Sequence, residues 1–136
     1  MSVLVDSNVL LDVLTEDETW GAWSSGALEE AADRHRLVIN PMIYAEVSVR
    51  FERIEDLEAA LPPPMLTRED LPYEAAFLAG KAFAAYRRKG GVRTAPLPDF
   101  FIGAHAAVSG HSLLTRDRGR FQTYFPGLNL IVPPGA

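Results

Sequence analysis

Short apolar runs alternating with stretches of helical period set the rhythm of this chain. Val3-Leu4-Val5 is apolar at every position, which predicts a strand covered on both faces, as in a parallel sheet. Ser7 is placed to cap a helix over residues 8–14. A second helix is expected over residues 20–33. Leu37-Val38-Ile39 repeats the strand pattern, and Asn40-Pro41 follows as a cap and first-turn proline, opening a helix toward Arg53. Residues 55–61 form a shorter helical stretch, stopped by Pro62-Pro63-Pro64. Asp70 is the expected cap of a long helix over residues 71–89, closed by Gly90-Gly91. Residues 92–97 read as a loop. Pro98 suits the first turn of a helix that runs to Ser109, before Gly110. Leu113-Leu114-Thr115 and Leu130-Ile131-Val132 are the last two strands, with turns at Gly119 and Pro126-Gly127.

Strands alternating with helices predict an α/β sandwich around a parallel sheet joined by right-handed crossovers. No internal repeat or linker interrupts the pattern, and 136 residues suit one domain, residues 1–136. The absence of cysteine excludes disulfides and thiolate zinc sites. No basic region precedes the short N-terminal apolar run, and no apolar stretch approaches the ~20 residues of a membrane span. A cytoplasmic protein with no membrane partner is the expectation.

A net charge of −5 argues at first against a nucleic-acid partner. Its distribution reverses that. Residues 1–74 carry sixteen acids and five bases, whereas residues 75–136 carry eight bases and two acids. Such asymmetry hints at a polyanionic partner. The two acids of the basic half are Asp99 and Asp117, and their isolation needs a reason.

In open α/β sheets, ligands bind beyond the carboxyl ends of the strands. Asp6 directly follows the first strand, and Asp117 lies two residues past the third. Glu46 stands in the helix after the second strand, and Asp99 in the first turn of the helix before the third. Four oxygen donors from distant segments can build a site for Mg2+ or Mn2+, which prefer carboxylate oxygen and water. Each acid also has a plain structural role open to it. Asp6 suits a helix cap, Glu46 an ion pair with Arg50, Asp99 a helix-dipole partner and Asp117 a turn. Met42, Ile43 and Val49 flank Glu46, however, and a carboxylate at an apolar boundary needs a partner or a cation. Beyond Asp99, Gly103 and Ala106 are small enough to let another element approach closely.

At these residues the sequence resembles the PIN-domain family, in particular its VapC-type toxins. Val5-Asp6-Ser7-Asn8-Val9-Leu10-Leu11-Asp12 resembles the family's opening strand and first acid. Asn40-Pro41-Met42-Ile43-Tyr44-Ala45-Glu46-Val47 resembles the segment with the second. Pro96-Leu97-Pro98-Asp99-Phe100-Phe101-Ile102-Gly103-Ala104-His105-Ala106 resembles the third, and Leu113-Leu114-Thr115-Arg116-Asp117 the closing motif. The resemblance covers the whole chain, with the four segments in this order.

The resemblance implies a PIN-like, Rossmann-like three-layer α/β/α sandwich with a central, mostly parallel sheet. It implies that Asp6, Glu46, Asp99 and Asp117 are the metal-binding and catalytic acids, with Asn8 and Thr115 beside them. It further implies a Mg2+- or Mn2+-dependent endoribonuclease leaving 5′-phosphate and 3′-hydroxyl ends, a homodimer, and a cognate antitoxin through which alone DNA would be met. The Leu10, Leu11, Leu14 stripe and residues 55–61 are candidate walls of an antitoxin groove, or simply core.

Arg116, Arg118 and Arg93 are the expected RNA contacts, since phosphates are met mainly by arginine and lysine. Trp20 and Trp23 are read as core or a partner interface rather than base-stacking platforms. None of the three histidines shows metal spacing, so all are read as structural. Two rival readings stand beside the nuclease: a haloacid-dehalogenase-like phosphatase, which wants Asp where Asn8 stands, and a non-catalytic binding module on the same fold. A receiver domain wants a lysine after its last strand, and none lies beyond Lys89.

Overall fold

A computed structural model of the chain describes residues 1–93 and 97–135. Part of the expected loop over residues 92–97, and Pro96 of the third resembling segment, lie outside the described residues. Among the described residues five strands are present: β1 (Ser2–Val5), β2 (Arg36–Ile39), β3 (Thr67–Arg68), β4 (Ser112–Leu114) and β5 (Leu130–Ile131). They are interleaved with α1 (Ser7–Leu14), α2 (Gly21–Arg34), α3 (Pro41–Ser48), α4 (Ile54–Ala60), α5 (Tyr73–Arg88), α6 (Pro98–Ser109) and α7 (Gly119–Tyr124). The sheet is parallel throughout, in the order β3-β2-β1-β4-β5.

Val3, Leu4, Val5, Val38, Leu113 and Leu114 are fully buried. Consecutive residues on one strand point to opposite faces, so helices must cover both sides of the sheet. This is the three-layer α/β/α sandwich expected from the sequence. Helices α1 and α2 pack on each other, as do α5 and α6. No described helix is long and apolar enough to cross a membrane.

The helix starts show which caps hold. Asn40 caps α3 as expected, its side-chain oxygen accepting from the Ile43 N–H at 2.9 Å. Asp6, not Ser7, caps α1; its Oδ1 accepts from the Ser7 N–H at 2.7 Å. Asp70 does not cap α5, which begins at Tyr73 behind Pro72 with no side-chain cap among the described residues. Helix α3 stops at Ser48, five residues short of Arg53. There the Ser48 hydroxyl donates to the Ala45 carbonyl at 2.6 Å, a local bond that competes with the helical ladder. Gly110 ends α6 in the left-handed conformation, φ 72°, which favours glycine.

Glu69, His105 and His111 form a buried network that joins the end of β3 to α6. Because Asn40 Oδ1 is occupied by the Ile43 N–H, its Nδ2 is the group that faces His105 Nδ1, at 2.9 Å. His105 Nδ1 must therefore accept, and its Nε2–H donates to Glu69 Oε1 at 3.2 Å. His111 Nε2 donates to the same oxygen at 2.7 Å, and its Nδ1 meets the Ser2 hydroxyl. Arg36 reaches the other Glu69 oxygen at 3.3 Å. The three donor atoms lie close enough to surround an ion. Yet a His105 Nε2 that carries a proton has no lone pair to give a metal, so this is a hydrogen-bond hub. Burial would raise the Glu69 carboxyl, but bonds and charge from His111 and His105 hold it below its usual range. Burial and the neighbouring His111 hold His105 below the ordinary histidine value, against the pull of Glu69.

Helix α7 was not expected from the sequence, which reads as a turn at Gly119. It seats on α6 through Gly103, where an added Cβ would come within 2.6 Å of the Phe125 ring and 3.1 Å of Phe121. Both rings are buried. Gly103→Ala is expected to destabilise the protein by about 1–3 kcal/mol through overpacking. Urea denaturation measures this, and an unchanged midpoint would show that α7 docks without that contact.

Candidate active site

Reversal of strand order on either side of β1 opens a crevice at the carboxyl ends of β1 and β4. Asp6 and Thr115 stand at those two ends. The Thr115 hydroxyl donates to Asp6 Oδ2 at 2.8 Å. The Thr115 hydroxyl oxygen in turn accepts from the Asp117 backbone N–H at 3.1 Å and from Asn8 Nδ2 at 3.3 Å. Thr115 thus ties the first acid to the backbone of the last, and Asn8 braces it. Asn8 Oδ1 also accepts from the Arg116 N–H at 3.4 Å.

Glu46 enters from α3 and is half-buried. Its Oε1 accepts from the Ser7 hydroxyl at 2.8 Å, so its partner is Ser7 rather than Arg50. Ser7, read from the sequence only as a cap, is a positioning residue of the site. Asp99 enters from the first turn of α6, and Arg120 Nη1 meets its Oδ2 at 3.1 Å. Asp117 is exposed. An added Cβ on Gly119 would sit 3.0 Å from Asp117 Oδ1, so the glycine leaves that carboxylate room.

Electrostatics shows these acids acting on one another. Burial pushes Asp6 up to about 7, the Thr115 bond opposes this, and the charges of Asp99 and Glu46 add to it. Burial raises Glu46, against the Ser7 bond and with Asp99 adding. Burial raises Asp99 as well, with Arg120 lowering it and Asp117 raising it. The four predicted acids therefore form one coupled group. Among the described residues, no three of them bring an oxygen each to within 4.8 Å of the others.

The arginines fall out differently from the sequence expectation. Arg116 gives Nε and Nη2 to Asp12 at 2.7 and 3.2 Å, and its guanidinium lies 5.7 Å from the Trp20 ring centre. Asp12 is buried and also accepts from the Ser24 hydroxyl at 2.8 Å. Arg116 therefore locks α1 to the segment after β4, instead of standing free for phosphate. Arg118 is half-buried, its Nε without a hydrogen-bond partner among the described residues. Arg93 is exposed, and its carbonyl accepts from Arg87 at 2.7 Å. Trp23 packs against the core edge. It also lines a cavity of about 680 Å3 between α2 and residues 131–134, which contains none of the four acids.

The sequence matches the PIN domain family over residues 3–125, and the chain belongs to that family. No curated protein matches it in sequence. Solved structures match it along nearly its whole length. One is the VapBC2 structure from Rickettsia felis bound to a DNA fragment from their promoter, with TM-score 0.75 and 19% identity, covering 98% of this chain and 99% of that one. Another is VapBC-1 from nontypeable Haemophilus influenzae, with TM-score 0.74 and 18% identity, covering 97% and 98%. A toxin–antitoxin complex from Klebsiella pneumoniae matches with TM-score 0.68 and 20% identity, covering 96% and 97%. At these identities the likeness speaks for the fold.

Asp6 binds its proton more tightly in the folded protein than at its ordinary value of 3.8. Between 3.8 and about 7 the native state holds the extra proton, so its contribution to stability falls as pH rises through that window. Three pKa units correspond to roughly 4 kcal/mol. In chelator, the stability difference between Asp6→Asn and the wild type should shift toward the variant as pH goes from 4 to 8. Thermal denaturation across pH tests this. Parallel curves would mean that Asp6 is not a burdened carboxylate.

Proposed function

We propose that this chain is a single-domain, metal-dependent endoribonuclease of the VapC type, acting as the toxin of a toxin–antitoxin pair. The observation that carries the reading is the coupled group of Asp6, Glu46, Asp99 and Asp117 at the crevice beside β1. An excess of carboxylates at a buried site, one of them raised to about 7, lacks countercharge and fits a hard divalent cation. These four side chains would hold Mg2+ or Mn2+. The ion would supply Lewis acidity and a more acidic bound water, the chemistry that phosphodiester hydrolysis needs near neutral pH.

The chain's own groups set the geometry. Thr115 and Asn8 fix Asp6 and the Asp117 backbone in one register, and Ser7 aims Glu46 at the same crevice. Arg118, beside Asp117, and the exposed Arg93 are assigned to the RNA backbone. Hydrolysis adds water across a P–O bond, leaving a 5′-phosphate and a 3′-hydroxyl. Structural neighbours that are toxin–antitoxin complexes support a cognate antitoxin partner. A homodimer in the cytoplasm, meeting DNA only through that antitoxin, completes the proposal. Asn8 stands where a haloacid-dehalogenase-like phosphatase requires its second aspartate, which disfavours that reading.

Purified protein is expected to cleave RNA with Mn2+ or Mg2+ and to lose that activity in chelator. Asp99→Asn and Asp6→Asn should each lower the rate at least about 100-fold while remaining folded. Sequencing of RNA 5′-ends after induction in cells would locate the cut. Wild-type cleavage by either folded variant would remove the acids from the mechanism. Binding of RNA without cleavage in any metal would favour the non-catalytic binding module.

A further inference from the structure

Arg120 is the second residue of α7, and Asp99 is its one hydrogen-bond acceptor among the described residues. Its guanidinium lies 5.6 Å from the Phe100 ring centre and 5.9 Å from that of Tyr86. Those rings belong to an aromatic cluster with Phe83 and Tyr124. This shelf attracts the cation whatever Asp99 does. The Arg120 and Asp99 side chains remain 35% and 27% exposed, so water and substrate can reach the pair.

Arg116 provides the contrast. It spends two donors on one deeply buried carboxylate. A guanidinium has five N–H donors in a planar fork. Asp99 engages one nitrogen of Arg120, and among the described residues no other side chain accepts from its remaining donors. A planar fork with donors to spare suits the paired oxygens of a phosphodiester. A divalent cation drawing on Asp99 would repel Arg120 and weaken its hold on that carboxylate. The shelf would then keep the guanidinium near by instead of releasing it to solvent.

We propose that Arg120 has two roles: it is the internal countercation of Asp99 when no divalent ion is bound, and it is the side chain that grips the non-bridging oxygens of the RNA phosphodiester when one is. The second role rests on the nuclease reading. The first concerns this chain alone.

The test compares wild type, Arg120→Gln and Arg120→Lys. Mn2+ binding is read from the spin-resonance signal of free Mn2+, and RNA cleavage is followed at saturating Mn2+. Arg120→Gln removes a competing positive charge, so it should bind Mn2+ on the order of tenfold more tightly. It should also cleave about 100-fold more slowly, the usual loss when one electrostatic stabiliser is removed. Arg120→Lys keeps the charge but loses the fork; it should bind Mn2+ like wild type and recover only part of the rate. Unchanged or weaker Mn2+ binding by Arg120→Gln would overturn the countercation role. Wild-type cleavage by Arg120→Gln would overturn the phosphate grip. If the wild-type protein cleaves no RNA, the nuclease reading and the grip fall together, while the Mn2+ comparison still decides the countercation role.

Discussion

Asp6 is 3% exposed, and two other carboxylates act on it. Burying a charge beside like charges is among the costlier things a small domain can do, and much of the local structure offsets that cost. Thr115 donates to one oxygen and the Ser7 N–H to the other. The convergence itself follows from topology. A parallel sheet brings every strand's carboxyl end to one edge, and the order reversal around β1 leaves a crevice there. The segments that carry Asp6, Glu46, Asp99 and Asp117 meet there closely enough for their charges to act on one another.

The fold was legible where burial is two-sided and helices are long. Val3-Leu4-Val5, Leu37-Val38-Ile39 and Leu113-Leu114 are runs that only a covered strand explains, and all lie in the sheet. Strand β3 was missed because it is two residues long and its burial is partial, so it carries no run and no alternation. Helix α7 was missed because a glycine at its first position reads as a turn. The apolar spacing Phe121, Tyr124, Phe125 marks the helix in the sequence, and Gly103 on the opposing helix is the small residue that receives it. Of the two caps the sequence offers for α1, Asp6 rather than Ser7 holds it, because the strand-end carboxylate reaches the first helical N–H directly.

In the site, residue type was more legible than partnership. The four acids that act on one another at the crevice stand out in the sequence by their place after strands and within the resembling segments. That Ser7 steadies Glu46, or that Glu69 accepts hydrogen bonds from two histidines six residues apart, depends on distances across the chain that no local spacing encodes. The sequence placed Arg116 beside Asp117 and so suggested phosphate. Adjacent side chains on an irregular segment need not share a direction, and Arg116 turns away to Asp12, 104 positions earlier.

That pairing also changes the meaning of the lopsided charge. A basic second half suggested an external polyanion, yet part of its basicity is consumed inside the molecule. Arg116 neutralises Asp12 from the acidic half, and Arg120 neutralises Asp99. Arg87 donates to the carbonyls of Gly91 and Arg93, and Lys89 lies 5.1 Å from the Tyr124 ring centre. Net charge by segment therefore overstates what is offered to a partner. The more informative quantity is how each cation is held: Arg116 twice, by a buried carboxylate, and Arg120 once, by a half-open carboxylate on an aromatic shelf. A cation gripped at one nitrogen, beside acids short of countercharge, can change partners without unfolding anything around it.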